Sequence, residues 1–428
     1  MSNFEEIREK LNHIKVIDAQ EKLNADIDYD LENKDVFCTY TLHYLIRELV
    51  SAGMVGENIV NSITDPKVPA ETRLKLAKPY LKACENTGYF RALNKALKEL
   101  HGTDELSVEN LSKLQKDYLM CRDKEYLYDV IKNKHNIEAI LLDVADDVPE
   151  KEYDKRIFKR IWNPEKYIKP GPISGEVIKW VERHYSEIKS LDDWVSAFDE
   201  ELTNRLGRGI VALKITLGNV RSLRFEDVPY AEAKVAFDEV LRQWKEEGSG
   251  ERDHVEFPLK LQDFMMHRVL SSLRGRGIVI QFDTGMQKDN RNILNNAKPV
   301  NLNNLFEHYQ DVKFDILGIG WPYWREVVAL AKMYPNVIIN FSGSHVVSTL
   351  SSIECLKECI DSLPLNKIIG FGGDYLFFDG VYAHLETAKD NIAMALSQLM
   401  DYNIIDMEKA LYIAEAILYK NPKRIYKI

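Results

Sequence analysis

No apolar run in this 428-residue chain is long enough to cross a bilayer, so the sequence offers no membrane-spanning helix. Met1 to Arg8 read as an amphipathic helix and lack the apolar centre of a signal peptide. Positive charge is not in excess. Against 67 Asp and Glu stand 57 Lys and Arg, a formal net charge of −10. That balance argues against the basic surface on which non-specific nucleic-acid binding depends. Cysteine is scarce: the five, Cys38, Cys84, Cys121, Cys355 and Cys359, are too scattered for a disulfide framework. They fit reduced thiols in a cytoplasmic protein. Cys355 and Cys359 lie one helical turn apart, and packing of a helix face is preferred over half of a metal site. Internal repeats and low-complexity tracts are lacking too, and Glu246 to Arg252 read as a flexible surface loop.

What is present is a rhythm. Short apolar runs, each ending in polar or glycine residues, occur at His13 to Asp18, Ile137 to Asp143, Arg156 to Trp162 and Gly209 to Thr216. Four more follow at Gly277 to Asp283, Val312 to Gly318, Asn336 to Phe341 and Lys367 to Phe371. Helical patterns separate most of them. A β-α unit repeated this way predicts an α/β fold of the (β/α)8 TIM-barrel type, with residues 1–428 as a single domain. One interval is far too long for a loop. Residues 23–136 carry helical periodicity punctuated by Pro66, Pro69, Gly88 and Gly102, and predict a large helical insertion after the first strand.

In such a barrel the chemistry sits at the C-terminal ends of the strands. The first strand offers Asp18, Gln20 and Lys22, whose shared parity predicts one common face. The fourth offers Lys214, with Arg221 and Arg224 in the loop beyond it. The fifth offers Asp283, the sixth Gly318 followed by Trp321, Tyr323 and Trp324. The seventh offers Asn340, Ser342 and His345, and the eighth Asp374.

Several of these segments together carry a resemblance. Val16-Ile17-Asp18-Ala19, Leu49 to Met54, Asn86-Thr87-Gly88-Tyr89 and Ala212 to Ile215 are four of them. Arg221 to Val228, Thr284-Gly285, Asn303 to Phe306, Trp321-Pro322-Tyr323 and Gly370 to Asp374 are the others. The chain resembles the amidohydrolase superfamily, in the amidohydrolase-2 group that includes uronate isomerase-like proteins, over nearly its whole length.

The resemblance implies a metal held by histidines, and here the chain departs from it. His-x-His is implied on the first strand, where Gln20-Glu21-Lys22 stands. Histidine is implied at Asp283 and at Gly318. Asp374 and Lys214 alone keep the family residue. A neutral amide is a weak ligand, and a protonated lysine cannot ligate. Two arrangements are open. In the preferred one no cofactor is needed: the Lys22 ammonium takes the cation's place between Asp374 and Asp283. In the other, Asp283, Asp374, Gln20 and His345 hold one divalent metal, magnesium or the family's zinc, with Asp374 its principal ligand.

The roles then follow. Asp374, Lys22, Asp283 and His345 are the catalytic candidates, with His345 placed for proton transfer. Arg221, Lys214, Trp321, Tyr323 and Gln20 are the substrate-binding candidates, Arg221 as a clamp on a substrate carboxylate. The expected function is an amidohydrolase-like hydrolase of a small carboxylated or sugar-derived molecule. The alternatives are a pseudoenzyme that binds a small acidic ligand, and a sugar-acid isomerase. The expected partners are a small molecule and, in addition, a second copy of the chain; neither nucleic acid nor a membrane is expected.

Overall fold

In the computed structural model the described residues are all but 1, 24–34, 121–130, 133–134, 144–153, 171–173, 248–255, 288–289 and 291. The expected loop at Glu246 to Arg252 falls mostly outside them. Eight strands form one sheet in chain order: β1 (Val16–Glu21), β2 (Ile137–Asp143), β3 (Phe158–Trp162), β4 (Ala212–Ile215), β5 (Val279–Asp283), β6 (Lys313–Leu317), β7 (Val337–Asn340) and β8 (Ile368–Ile369). The strand pairs β1–β2, β3–β4, β4–β5, β5–β6 and β7–β8 are parallel. Helices alternate with the strands, and the fold is a (β/α)8 TIM barrel with a helical insertion after β1. The strands are buried almost throughout, as parallel strands covered on both faces must be.

Two compact units make up the chain. The first comprises residues 1–159, 288–292 and 339–428, and the second residues 160–287 and 293–338.

The first unit holds β1, β2, β8 and the insertion. Among the described residues, the helices between β1 and β2 include α1 (Val36–Leu42), α2 (Leu45–Ser51), α3 (Glu57–Thr64), α4 (Ala70–Ala83), α5 (Gly88–His101) and α6 (Val108–Met120). Their ends are set by local chemistry. Asp35 caps α1 by accepting from Cys38 N, and Thr87 caps α5 by accepting from Phe90 N. Gly102 ends α5 in the left-handed conformation that glycine adopts most easily. The insertion has an apolar core of its own, including Phe37, Leu49, Met54, Leu74, Leu97 and Leu114. Phe377, from the chain after β8, packs against that core.

The second unit carries β4, β5 and β6 in tight register. Lys214 pairs with Gln281 and Gln281 with Asp315, so parallel pairing puts these three polar side chains in one row. All three are fully buried. Gln281 Nε2 donates to Asp315 Oδ2 at 3.2 Å.

Candidate functional site

The first strand runs past its expected end at Asp18 to Glu21, and its register against β2 shifts between Asp18 and Glu21. Three residues of β1 are matched by two of β2, from Ile140 to Leu142. The shift breaks the simple alternation, so the common face expected for residues 18, 20 and 22 is not what forms. Asp18 and Glu21 turn to one group of partners, Gln20 and Lys22 to another.

Gln20 and Lys22 meet on Asp374. The amide Nε2 of Gln20 donates to Asp374 Oδ1 at 2.7 Å, and Lys22 Nζ lies 2.7 Å from the same oxygen. The Gln20 amide is fixed at its other end, where Oε1 accepts from the Ser342 hydroxyl at 2.7 Å. Ser342 N in turn donates to Asn340 Oδ1, so β7 supports the arrangement. Asp374 Oδ2 accepts no hydrogen bond from any described residue, and the side chain is 18% exposed. One oxygen is therefore held and the other is open. Asp374 also has φ +57°, in the left-handed region that Asp enters more readily than most residues.

That backbone is pinned on every side. Gly373 N donates to Asp18 Oδ1 at 3.0 Å, Asp374 N to the Gln20 carbonyl at 3.0 Å, and Tyr375 N to Glu21 Oε2 at 2.6 Å. The carbonyls are engaged as well: Gly373 O by His384 Nδ1, Asp374 O by His43 Nε2 and Tyr375 O by Lys22 N. Burial lowers the His43 imidazole to about 4 and keeps it neutral. A Cβ on Gly373 would come 1.5 Å from Glu21 Oε1, so only glycine allows this approach. Beneath the loop, burial raises Asp18 to about 7, against the lowering effect of its hydrogen bonds to Glu21, Gly373 N and Gln20 N. Burial together with the charges of Asp18 and Asp374 raises Glu21 well above the usual carboxylate range. Glu21 was not among the residues singled out from the sequence. Neither was His43 as a partner of Asp374; an i, i+3 pair of acids on a strand carries no signal until the bulge is seen.

His345 is turned to structural partners. It is fully buried, its Nε2 is 3.0 Å from the Gly370 carbonyl, and its Nδ1 is 3.3 Å from the Asn391 amide. Both ring nitrogens are committed to structure and burial lowers the ring to about 4, so it does not reach Asp374 as a proton carrier.

The other candidates lie in the second unit. Arg221 is held by partners of its own unit. Its Nη2 pairs with Asp263 Oδ1 at 2.7 Å and donates to the Arg224 carbonyl, Nη1 donates to Gln262 Oε1, and Nε donates to the Ser222 carbonyl. The guanidinium ties the loop after β4 to the helix Leu259–Leu273 instead of standing ready for a substrate carboxylate. Arg224 pairs with Glu226. Lys214 is fully buried in the row with Gln281 and Asp315, one layer below the strand end. Asp283 ends β5, and its side chain makes no hydrogen bond to a described residue. Trp321 and Tyr323 are half-buried. The turn that brings them there crosses Gly285, where a Cβ would meet Trp321 O at 2.1 Å. Lys298 Nζ stands 5.3 Å from the Tyr323 ring centre.

The donor set around Asp374 does not fit a divalent metal. A primary ammonium lies in contact with Asp374 Oδ1, and a metal cation on the same carboxylate would be repelled by it. Gln20 presents its N–H2, not its oxygen, to that point. Among the described residues no three His, Cys, Asp or Glu side chains cluster in a way that would hold a metal ion.

Comparison with known proteins gives three kinds of match. Residues 218–428 match a family described as Amidohydrolase. Protein fluG of Emericella nidulans is 24% identical over 174 residues, which are 39% of this chain and 20% of that protein. The match thus spans about a fifth of that relative's length. Among solved structures, a uronate isomerase from Thermotoga maritima superposes with a TM-score of 0.78 at 13% identity, covering 99% of this chain and 97% of that one. A glucuronate isomerase from Caulobacter crescentus also gives 0.78, at 14% identity over 99% and 94% of the two chains. A candidate metal-dependent hydrolase from Lactobacillus casei gives 0.67, at 17% identity over 98% and 97%. At these identities the likeness is one of fold.

Proposed function

We propose that the chain, whose residues 218–428 match the Amidohydrolase family, is a hydrolase-like enzyme of small carboxylated molecules in which Lys22 replaces the metal. One observation carries the reading: Asp374 Oδ1 is held at 2.7 Å by both Lys22 and Gln20 while Oδ2 accepts no hydrogen bond from a described residue. A carboxylate fixed by one oxygen presents the other in a constant direction, as a general base requires. Asp374 Oδ2 takes a proton from the attacking water. The Lys22 ammonium, already beside Asp374, stabilises negative charge that develops on the substrate oxygen. Gln20 and Ser342 keep both in place. Metal-activated water is the family's usual chemistry, and no step is assigned to it here because the donor set does not suit a cation.

The isomerase reading shares the same residues, with Asp374 Oδ2 taking a proton from carbon. It is favoured by the fold likeness to the two isomerases and by no feature of the site itself. Depletion of amides, lactones and uronates by wild type and Asp374→Asn tests both. Hydrolysis of an amide or lactone that the variant loses supports the proposal. Equal turnover in the two proteins removes Asp374 as the base.

A further inference from the structure

The pair of Lys22 and Asp374 differs from a surface pair such as Lys234 and Asp238, whose side chains are each about half exposed and stand one turn apart on a helix. Lys22 and Asp374 are 27% and 18% exposed and come from opposite ends of the chain. Each partner is also fixed by a second contact. Lys22 N donates to the Tyr375 carbonyl at 3.2 Å, and Asp374 Oδ1 accepts from Gln20 Nε2 at 2.7 Å. Gln20 is held in turn by the Ser342 hydroxyl, which donates to its Oε1 at 2.7 Å. Asp374 sits in the left-handed region at φ +57°, and the peptides on either side are tied down through Gly373 N and Tyr375 N. Strain of this kind collects at functional sites.

A primary amine, a carboxylate in contact with it and a third group that orients the carboxylate make up the arrangement of an activated nucleophile. A lysine activated in this way attacks carbonyl carbon and forms a Schiff base. Asp374 Oδ1, at 2.7 Å, is placed to take an ammonium proton and leave a neutral amine. The exposure of both side chains lets a small molecule reach that nitrogen.

We propose that Lys22 also acts as a nucleophile that captures a small aldehyde or ketone as an imine, with Asp374 as its base. Starting from the ion pair, Asp374 takes one proton from Lys22. The freed nitrogen lone pair forms the C–N bond, and the carbonyl π electrons move to oxygen, which recovers that proton from Asp374. Asp374 then takes a second proton from the nitrogen and delivers it to the hydroxyl. The hydroxyl leaves as water while the nitrogen lone pair closes the C=N bond. Lys22 ends as a protonated imine beside the Asp374 carboxylate; one water is released and nothing is oxidised or reduced. The inference shares with the proposed function the placing of Lys22 and Asp374 as the reacting pair, and it needs no hydrolysis.

Trapping tests it on the whole protein. Propanal or dihydroxyacetone is added with cyanoborohydride, which delivers hydride to a protonated imine and fixes the adduct as a secondary amine. Initial labelling rates are read by peptide mass mapping. Lys15 and Lys189, each beside a glutamate and 58% and 66% exposed, are the references. Lys22 is expected to label faster than both in wild type although it is less exposed. Asp374→Asn is expected to slow Lys22 by about tenfold or more and to leave the two references unchanged. Melting temperatures verify that the variant folds, and the wild-type comparison requires no variant. The proposal is overturned if Lys22 labels no faster than the references. It is equally overturned if Asp374→Asn keeps the Lys22 rate within about tenfold of wild type or raises it, as removing a merely ion-paired carboxylate would. Turnover of amides and lactones decides the hydrolase reading by itself, so either proposal can fail alone.

Discussion

Asp18 and Glu21 lie three residues apart on one strand yet bring their carboxyl groups together beneath Gly373, because the register of β1 shifts between them. Asp18 Oδ2 and Glu21 Oε1 have no conventional donor, while the remaining oxygens accept from Gly373 N and Tyr375 N. Two buried carboxyls in contact cannot both be ionised cheaply, so the pair keeps a proton.

This pair gives stability a pH dependence of definite sign. Its folded pKa values are raised, Asp18 from 3.8 to about 7 and Glu21 well above 4.5, so the folded state binds more protons than the unfolded state. The pair's contribution is therefore complete below about pH 4 and declines as pH rises through 7. In urea unfolding from pH 5 to 8, the stability of wild type relative to Glu21→Gln is expected to fall as pH rises. Parallel slopes for the two proteins would refute the shared proton.

Gly373→Ala is expected to destabilise by about 1–3 kcal/mol or more, the usual cost of forcing atoms into packed space. The new methyl meets Glu21 Oε1 at 1.5 Å and cannot be relieved without moving the loop that carries Asp374. Denaturant midpoints measure it, and a loss within error of zero contradicts the packing described.

Restoring the histidines is expected to restore metal affinity. Gln20→His with Lys22→His removes the ammonium and adds two nitrogen donors next to Asp374, three ligands in all, which is the minimum of a catalytic zinc site. Zinc titration of the purified double variant against wild type checks this. Tight stoichiometric zinc in the wild type would show that Lys22 does not exclude a cation.

His345 is expected to matter for folding and not for chemistry. His345→Ala leaves the Gly370 carbonyl without its buried partner, while the Asn391 amide keeps its bond to the main-chain carbonyl at position 345, at about 1–3 kcal/mol. The folded fraction should keep its kcat in any assay that Asp374→Asn abolishes. A loss of kcat in fully folded variant protein would return His345 to the mechanism.

Strand identity was readable from the sequence because fully buried parallel strands leave continuous apolar runs, and each of the eight strands overlaps one of those runs. Lys22 directly follows β1 and Asp374 lies in the chain after β8, where the apolar runs give way to polar residues. What escaped was set by tertiary detail. The bulge in β1 depends on pairing with β2, so nothing local announces that Glu21 joins Asp18. Arg221 looked available because Asp263 and Gln262, which occupy it, lie some forty residues further along the chain. His345 looked catalytic by its place after β7, whereas the direction of its ring is fixed by Gly370 and by Asn391 on the helix Phe378–Asp401.

The pinned peptides at Gly373, Asp374 and Tyr375 bear on hydrogen exchange. Residues at a barrel mouth usually sit on loops whose amides trade with solvent in local openings. Here each of the three amide hydrogens is bound to β1, to Asp18 Oδ1, the Gln20 carbonyl or Glu21 Oε2, and releasing one means parting the loop from the innermost strand. Their deuterium uptake should therefore be as slow as that of the core strands. The Asp374 carboxylate would then ride on one of the most slowly exchanging segments of the chain.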